Sequence, residues 1–259
     1  MRKSKKQKRV LFLMILTFFF LFPVIYMVVS SVYAGVQEGL SFMSYYVVLF
    51  ESPGYLIKFW RSLLMYIVIS AGQTILSCMA GTAFAKYRFI GKKFFLAMMA
   101  LFMVLPIQVT LLPNYLLLEK LGFLNSWKAL VIPAIFSPFG VVWLTFIIQT
   151  LPNEWIEAAR LERANQLQIV RYIIIPEIKP ALVTLFILTF VESWNMVEQP
   201  IIFLEGPLDY PLSVFLAGIT ENSIGVQSVC GILCLIPVTF LFLYYRKELT
   251  DGLQDTLWS

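Results

Sequence analysis

The sequence predicts an all-α, polytopic membrane protein of six transmembrane helices, and three observations carry that prediction. Hydrophobic residues fill 59% of the 259 positions and charged residues only 14%, against about 45–50% and about 25% in an ordinary soluble domain. The apolar residues come in six blocks, each close to the roughly 20 residues that cross a hydrocarbon core as a helix, the one open-ended element that satisfies its own backbone in lipid. The lysines and arginines fall almost entirely into alternate connections between those blocks.

In chain order, the first span runs from about Val10 to Val32, behind a basic leader at positions 1–9. That leader, the apolar block and Val32-Tyr33-Ala34 together resemble a secretory signal with its cleavage site. The block is longer than the roughly 7–15 residues of a signal core, so it reads as an uncleaved anchor. The second span covers about Ser62 to Phe84, the third Phe94 to Leu118 and the fourth Trp127 to Ile148. The fifth and sixth cover about Ala181 to Leu204 and Ile224 to Tyr245. Pro23, Pro106, Pro113, Pro133, Pro138 and Pro237 lie within or beside these spans, and each removes a backbone donor and bends its helix. Proline is also commoner in membrane helices than in soluble ones, so bent helices around a central path and mere tolerance both stay open. No internal repeat, low-complexity stretch or second soluble domain is visible. One transmembrane domain over residues 1–259 is expected, with a core at 62–245, a connection at 151–180 and a tail at 246–259.

Orientation follows from the cations. Arg2, Lys3, Lys5, Lys6, Lys8 and Arg9 precede the first span, and Lys86, Arg88, Lys92 and Lys93 follow the second. Arg160, Arg163, Arg171 and Lys179 lie between the fourth and fifth, and Arg246 and Lys247 follow the sixth. Only Lys58, Arg61, Lys120 and Lys128 fall on the other side. By the positive-inside rule both termini, the 86–93 turn and the 151–180 connection are cytoplasmic, which predicts a multi-pass protein of the cell membrane. The formal charge of +5 is then a topology signal, with membrane lipid and not nucleic acid as its partner.

Catalysis finds little to work with. The chain has no histidine, which removes the commonest general base and metal ligand together. Cys78, Cys230 and Cys234 sit in apolar runs without a C-x-x-C spacing and read as small buried residues. Gly91-Lys92-Lys93 lacks the preceding glycine and the hydroxyl residue of a phosphate-binding loop. No catalytic residue, metal site or enzymatic activity is predicted.

One segment is too polar for this background: Glu154 to Pro176, EWIEAARLERANQLQIVRYIIIP. Leu151-Pro152-Asn153 breaks the fourth span's continuation. Asn153 reads as the N-cap of a short helix whose first turn holds Glu154 and Glu157, the charges a helix N-terminus favours. Asn165 with Gln168 three residues on forms the pattern of a capping box and starts a second helix toward Pro176. Ala158 and Ala159 let a partner surface approach closely, and Glu157 can meet a basic residue on it. On the residues alone, a partner-facing unit and a solvated connector remain equally open.

The segment resembles the cytoplasmic signature of binding-protein-dependent ABC importer permeases, a pattern of Glu-Ala-Ala-x-x-Asp-Gly-Ala followed by apolar residues and Leu-Pro. Here it reads Glu157-Ala158-Ala159-Arg160-Leu161-Glu162-Arg163-Ala164, closing with Ile175-Pro176. Glu162 is a mild departure, and Arg163 in place of glycine is a larger one. The resemblance covers nearly the whole chain and is closest to the carbohydrate branch, the maltose-type second permease. Tyr87-Arg88-Phe89-Ile90-Gly91-Lys92-Lys93, Leu105-Pro106-Ile107-Gln108-Val109, Pro113-Asn114-Tyr115, Leu121-Gly122-Phe123-Leu124-Asn125-Ser126, Ser193-Trp194-Asn195 and Tyr210-Pro211-Leu212 follow the family in order and spacing. Arg61-Ser62 stands where the family usually has Asn-Ser.

The resemblance implies a type I ABC importer permease architecture with a cytoplasmic coupling helix-turn-helix. It implies a second homologous permease, two ATPase subunits and an extracellular solute-binding protein as partners. ATP and magnesium would then be held by the ATPase subunits, with no cofactor on this chain. Glu157, Ala158, Ala159, Arg160, Glu162, Arg163 and Ala164 become the expected ATPase contact. For a carbohydrate path the candidates are Gln108, Glu192, Ser193, Trp194 and Asn195. Trp194 would stack on a sugar ring and Asn195 would supply paired hydrogen-bonding groups; bonding between neighbouring helices is the other reading. Glu205, Asp209 and Tyr210 in the outer loop are expected to touch the binding protein, or else to form a plain connection. Two other classes compete. An autonomous secondary transporter would use Glu192 or Glu198 for coupling protons, and a membrane enzyme would need a clustered nucleophile and base.

Overall fold

The computed structural model describes residues 2–33, 39–51, 53–206, 209–218 and 224–250. Ala34 of the signal-like motif, Pro207 and Leu208 of the outer loop, the tail beyond residue 250 and the side chains of the basic leader through Arg9 lie outside them.

Helix α1 (Arg2–Val32) carries the first span; α2 (Met43–Tyr46) follows and runs into a π turn, Val47–Glu51. Helix α3 (Pro53–Lys86) is continuous over 34 residues, so the second span starts well before the expected Ser62. Helices α4 (Lys92–Val104) and α5 (Ile107–Lys120) meet at a bend of 109°. The third span, expected as one helix over 94–118, is therefore broken. The cause is local: Leu105 is extended at ψ 129°, as a residue before proline prefers, and Pro106 brings no N–H to continue the ladder. The 13 residues of α4 reach about 20 Å, short of the roughly 30 Å hydrocarbon core.

Helices α6 (Trp127–Ile135) and α7 (Pro138–Thr150) form the fourth span, with Pro138 in the first turn of α7, where its missing N–H costs nothing. Then come α8 (Asn153–Leu161), α9 (Gln166–Ile169), a second π turn at Val170–Ile174 and α10 (Ile175–Glu177). Helix α11 (Lys179–Trp194) leaves residues 166–177 at a bend of 82°. The fifth span was expected to continue to Leu204. It stops at Trp194 instead, and the short α12 (Glu198–Phe203) is a separate element. Helices α13 (Leu212–Ala217) and α14 (Ile224–Tyr244) complete the order, with residues 246–250 again helical. Four helices are long and apolar enough to cross a membrane, and up to six spans result if each bent pair counts as one.

The chain gathers into two compact units, residues 1–60 with 215–238 and residues 61–214 with 239–259. In the first, the Ser31 hydroxyl meets the Tyr45 hydroxyl at 3.0 Å and Tyr55 Oη donates to the Cys230 carbonyl at 2.9 Å. Most of Val10–Val32 is exposed, with Phe18, Phe19 and Phe20 each about two-thirds open or more. A surface of that kind suits hydrocarbon, where it meets its own chemistry. The second unit is built on Leu144, Ile148 and Leu185, all with no exposure, joined by Cys78, Ile174 and Ile178. Gly140 allows its tight approach: a Cβ there would run into the Ser77 side chain and reach Leu185 Cδ2 at 3.0 Å.

Candidate coupling and translocation sites

The 151–180 connection folds as a helix-turn-helix whose inner face belongs to the second unit's core. Ile156 of α8 and Ile169 of α9 are buried at 5% and 2% exposure, and Ala159 and Ala164 are packed against the same cluster. Each buried isoleucine contributes about 1.5–3 kcal/mol. Ile169 and Ile174 are five positions apart, which in an α-helix would leave them about 140° out of line. The π turn closes its hydrogen bonds five residues apart and returns Ile174 to the buried face.

The two ends of the turn are capped differently. Asn165 Oδ1 accepts from Gln168 N at 2.9 Å and Gln168 Oε1 accepts from Asn165 N at 2.8 Å, the capping box expected from sequence. At the end of α8, Arg163 N donates to the Arg160 carbonyl and Ala164 N to the Ala159 carbonyl, each at 3.0 Å. That pair of bonds is a Schellman cap, which requires a left-handed residue between helix and exit. Arg163 fills that position at φ +62°. Asn153 does not cap α8 as expected, because Pro152 occupies the N-cap position and no side-chain bond closes it. Its Oδ1 accepts instead from Lys86 Nζ at 3.0 Å, and the same ammonium donates to the Leu151 carbonyl. Lys86, the last residue of α3, thus grips the end of α7 and the start of α8.

The outer face carries the predicted polar residues. Glu157, Ala158, Arg160, Glu162 and Arg163 are exposed, while Ala159 is half-buried and turned to the chain's own core. Ala158 is therefore the small residue that remains accessible, and Arg160 lies over the Tyr87 ring at 5.5 Å. An open groove of about 420 Å³ runs along the turn, lined by Glu162, Arg163, Ala164, Gln168 and Tyr172 among others. Leu161 at 86%, Leu167 at 72% and Tyr172 at 68% exposure rim this surface and were not singled out by sequence. Leu161 carried a signal: five positions from Ile156, it falls off the buried stripe of a 3.6-residue helix.

The path candidates separate in kind. Trp194 is buried, stacked on Phe190 at 5.4 Å and edge-on to Tyr66 at 5.6 Å, and Ser193 is buried beside it. Glu192 and Asn195 are exposed, with Asn195 Nδ2 bonded back to the Val191 carbonyl at 2.8 Å. Gln108 Nε2 donates to both carboxylate oxygens of Glu198 at 3.0 Å, joining α5 to α12. The glutamine-glutamate pairing crosses the bend after Pro106 and was not anticipated.

In the outer loop, Glu205 N donates to Asn125 Oδ1 at 2.9 Å and Asn125 N donates to the Phe203 carbonyl at 3.0 Å. Asp209 lies 3.9 Å from Arg61, a pair whose two side chains are about half exposed, and Arg61 also covers the Trp127 ring at 5.1 Å. Such a surface pair is worth at most about 1 kcal/mol. Tyr210 is half-buried, and two positions on, Leu212 N donates to Ser62 Oγ at 2.8 Å. Ser62 and Leu212 belong to two of the motifs recognised in sequence. Among the described residues no cluster of three or more His, Cys, Asp or Glu could hold a metal ion.

In the second unit, bent apolar helices carry a polar helix-turn-helix whose outer face is exposed. Residues 73–249, more than half of the chain, match the family of binding-protein-dependent transport system inner membrane components, and the chain belongs to that family. The family is one of transport permeases, not enzymes. The chain is 26% identical over 258 residues to the arabinooligosaccharides transport system permease protein AraQ of Bacillus subtilis, covering 94% of this chain and 92% of the relative. It is 25% identical over 205 residues to the sn-glycerol-3-phosphate transport system permease protein UgpE of Brucella abortus, covering 76% and 72%. Its fold matches a chain of a bacterial ABC transporter involved in the import of the acidic polysaccharide alginate, with a TM-score of 0.83 at 23% identity over 95% of this chain and 97% of that one.

Proposed function

We propose that this permease forms, with a second homologous permease, the path for a carbohydrate, specifically an oligosaccharide delivered by an extracellular binding protein. Two ATPase subunits would power it through α8 and α9. The observation that carries this reading is the α8–α9 unit itself. Its inner face is fixed to the core by Ile156, Ala159 and Ile169, while Glu157, Ala158 and Arg163 stand outward. A surface anchored that firmly moves as a rigid body when a partner pulls on it. The oligosaccharide assignment is supported by the cargo named for AraQ and by the alginate transporter of related fold, whose cargo is a polysaccharide, whereas UgpE is named for sn-glycerol-3-phosphate.

Sixteen of the twenty cations fall in the termini and in the connections at 86–93 and 151–180, which supports a cytoplasmic assignment for these elements. Within the path, Gln108, Glu192, Asn195 and Glu198 offer exposed polar groups, and Trp194 acts as the brace behind them. The outer loop at Glu205, Asp209 and Tyr210 faces the binding protein.

Two measurements test these assignments. In the complex assembled with its own ATPase, Glu157→Lys should leave insertion intact and abolish stimulation of ATP hydrolysis by substrate-loaded binding protein; normal transport by the variant would defeat the coupling role. Gln166→Cys should react with a membrane-impermeant thiol reagent only after the cytoplasmic side is opened, and labelling of intact cells would reverse the orientation.

A further inference from the structure

The cap at the end of α8 sets a side chain where the backbone asks for none. Arg163 holds φ +62°, a conformation that costs an L-residue about 1–2 kcal/mol and glycine nothing. The other Schellman cap of the second unit shows the unstrained solution. After α5, Gly122 stands at φ +68°, with Gly122 N bonded to the Glu119 carbonyl and Phe123 N to the Leu118 carbonyl. The strained residue at the end of α8 is exposed, lines the open groove of the turn, and makes no ion pair within the chain among the described residues.

We propose that Arg163 determines which ATPase this permease accepts, by pairing with a carboxylate that the cognate ATPase carries opposite the groove. This rests on the coupling role of α8 and α9 argued above. A guanidinium binds a carboxylate through two parallel hydrogen bonds, which makes it selective for geometry as well as charge. The groove supplies the remaining complementarity through Gln168 and the exposed face of Tyr172. A phospholipid headgroup is the other source of an anion, and the lipid composition of the nanodisc distinguishes it in the test below.

The test uses the native complex, dissociated so that its own ATPase can be rebound to the permease pair in nanodiscs. Arg163→Gly keeps the left-handed turn and removes the guanidinium together with the rest of the side chain. It should weaken rebinding roughly tenfold at low salt, and it should flatten the salt dependence seen with the wild type. Arg163→Lys should recover part of the affinity, and Arg163→Glu should bind less well than glycine. Rebinding of Arg163→Gly with wild-type affinity and salt dependence would overturn the proposal. So would a loss seen in anionic nanodiscs and absent from zwitterionic ones, which would assign the contact to lipid. If Glu157→Lys uncouples the complex while Arg163→Gly behaves as wild type, only this pairing fails; if the ATPase does not rebind the wild type either, the coupling role itself fails.

Discussion

The second unit solves one problem twice. Helices α5 and α8 both end in a Schellman cap with the same two backbone bonds, one built on Gly122 and the other on Arg163. Where the chain only has to turn, after α5, it uses the residue for which the left-handed region is free. Where it turns beneath an exposed groove, it holds an arginine in the same conformation. Strain of this kind persists only where the surroundings over-determine it. Here the Asn165–Gln168 box on one side and buried Ile156 and Ile169 on the other supply that constraint. The difference is thus one of side-chain use laid over an identical backbone.

Three substitutions test the comparison by stability of the permease pair freed of its ATPase, each read as thermal unfolding. The largest effect is expected at Asn125, the second left-handed non-glycine, at φ +59°. Its side chain also holds Glu205 N. Asn125→Ala puts a less tolerant residue in the left-handed region and gives up an exposed side-chain bond that water can replace only in part, so a loss of about 1–2 kcal/mol is expected, and a change below half that would show the loop anchored elsewhere. Gly122→Ala follows. Its Cβ would meet nothing within 4 Å, so the cost is that of the backbone alone, about 1 kcal/mol; a neutral result would remove the strain from the argument at both caps. The smallest effect is at Arg163→Gly. Relief of strain is partly offset by the greater freedom of glycine in the unfolded chain, leaving a gain of about 0.5 kcal/mol. A loss of stability there would mean that the arginine serves the permease's own fold.

What could be read from the sequence was what is decided within a few residues. The capping box needed only Asn165 and Gln168, and the first span is bounded by its own composition. The prolines left a bent third helix open as one of two readings, but the span was expected to be continuous, and the break at Leu105 and Pro106 came only with the structure. The 109° of the bend did not follow, because a broken helix is aimed by what it packs against. Trp194 illustrates the limit best. An aromatic ring in a polar motif suits a sugar or a core equally well, and the outcome was set by Tyr66, 128 positions earlier in the chain. Asn153 looked like a cap until Lys86, 67 positions earlier in the chain, took its oxygen. Arg61 departs from the family's usual residue, yet the reason for it, Asp209 and Trp127 at its side, exists only in three dimensions.

The π turn at Val170–Ile174 also takes up one residue of chain without turning the helix. Four α-helical residues and five π-helical ones both come back close to one full revolution, so Ile169 and Ile174 share the buried face although five positions separate them. Removing one residue from the turn would therefore leave α9 and its cap aimed nearly where they are, whereas removing one from α11 would rotate whatever precedes it by about 100°. The turn is thus the place in this connection where length can change while orientation is kept.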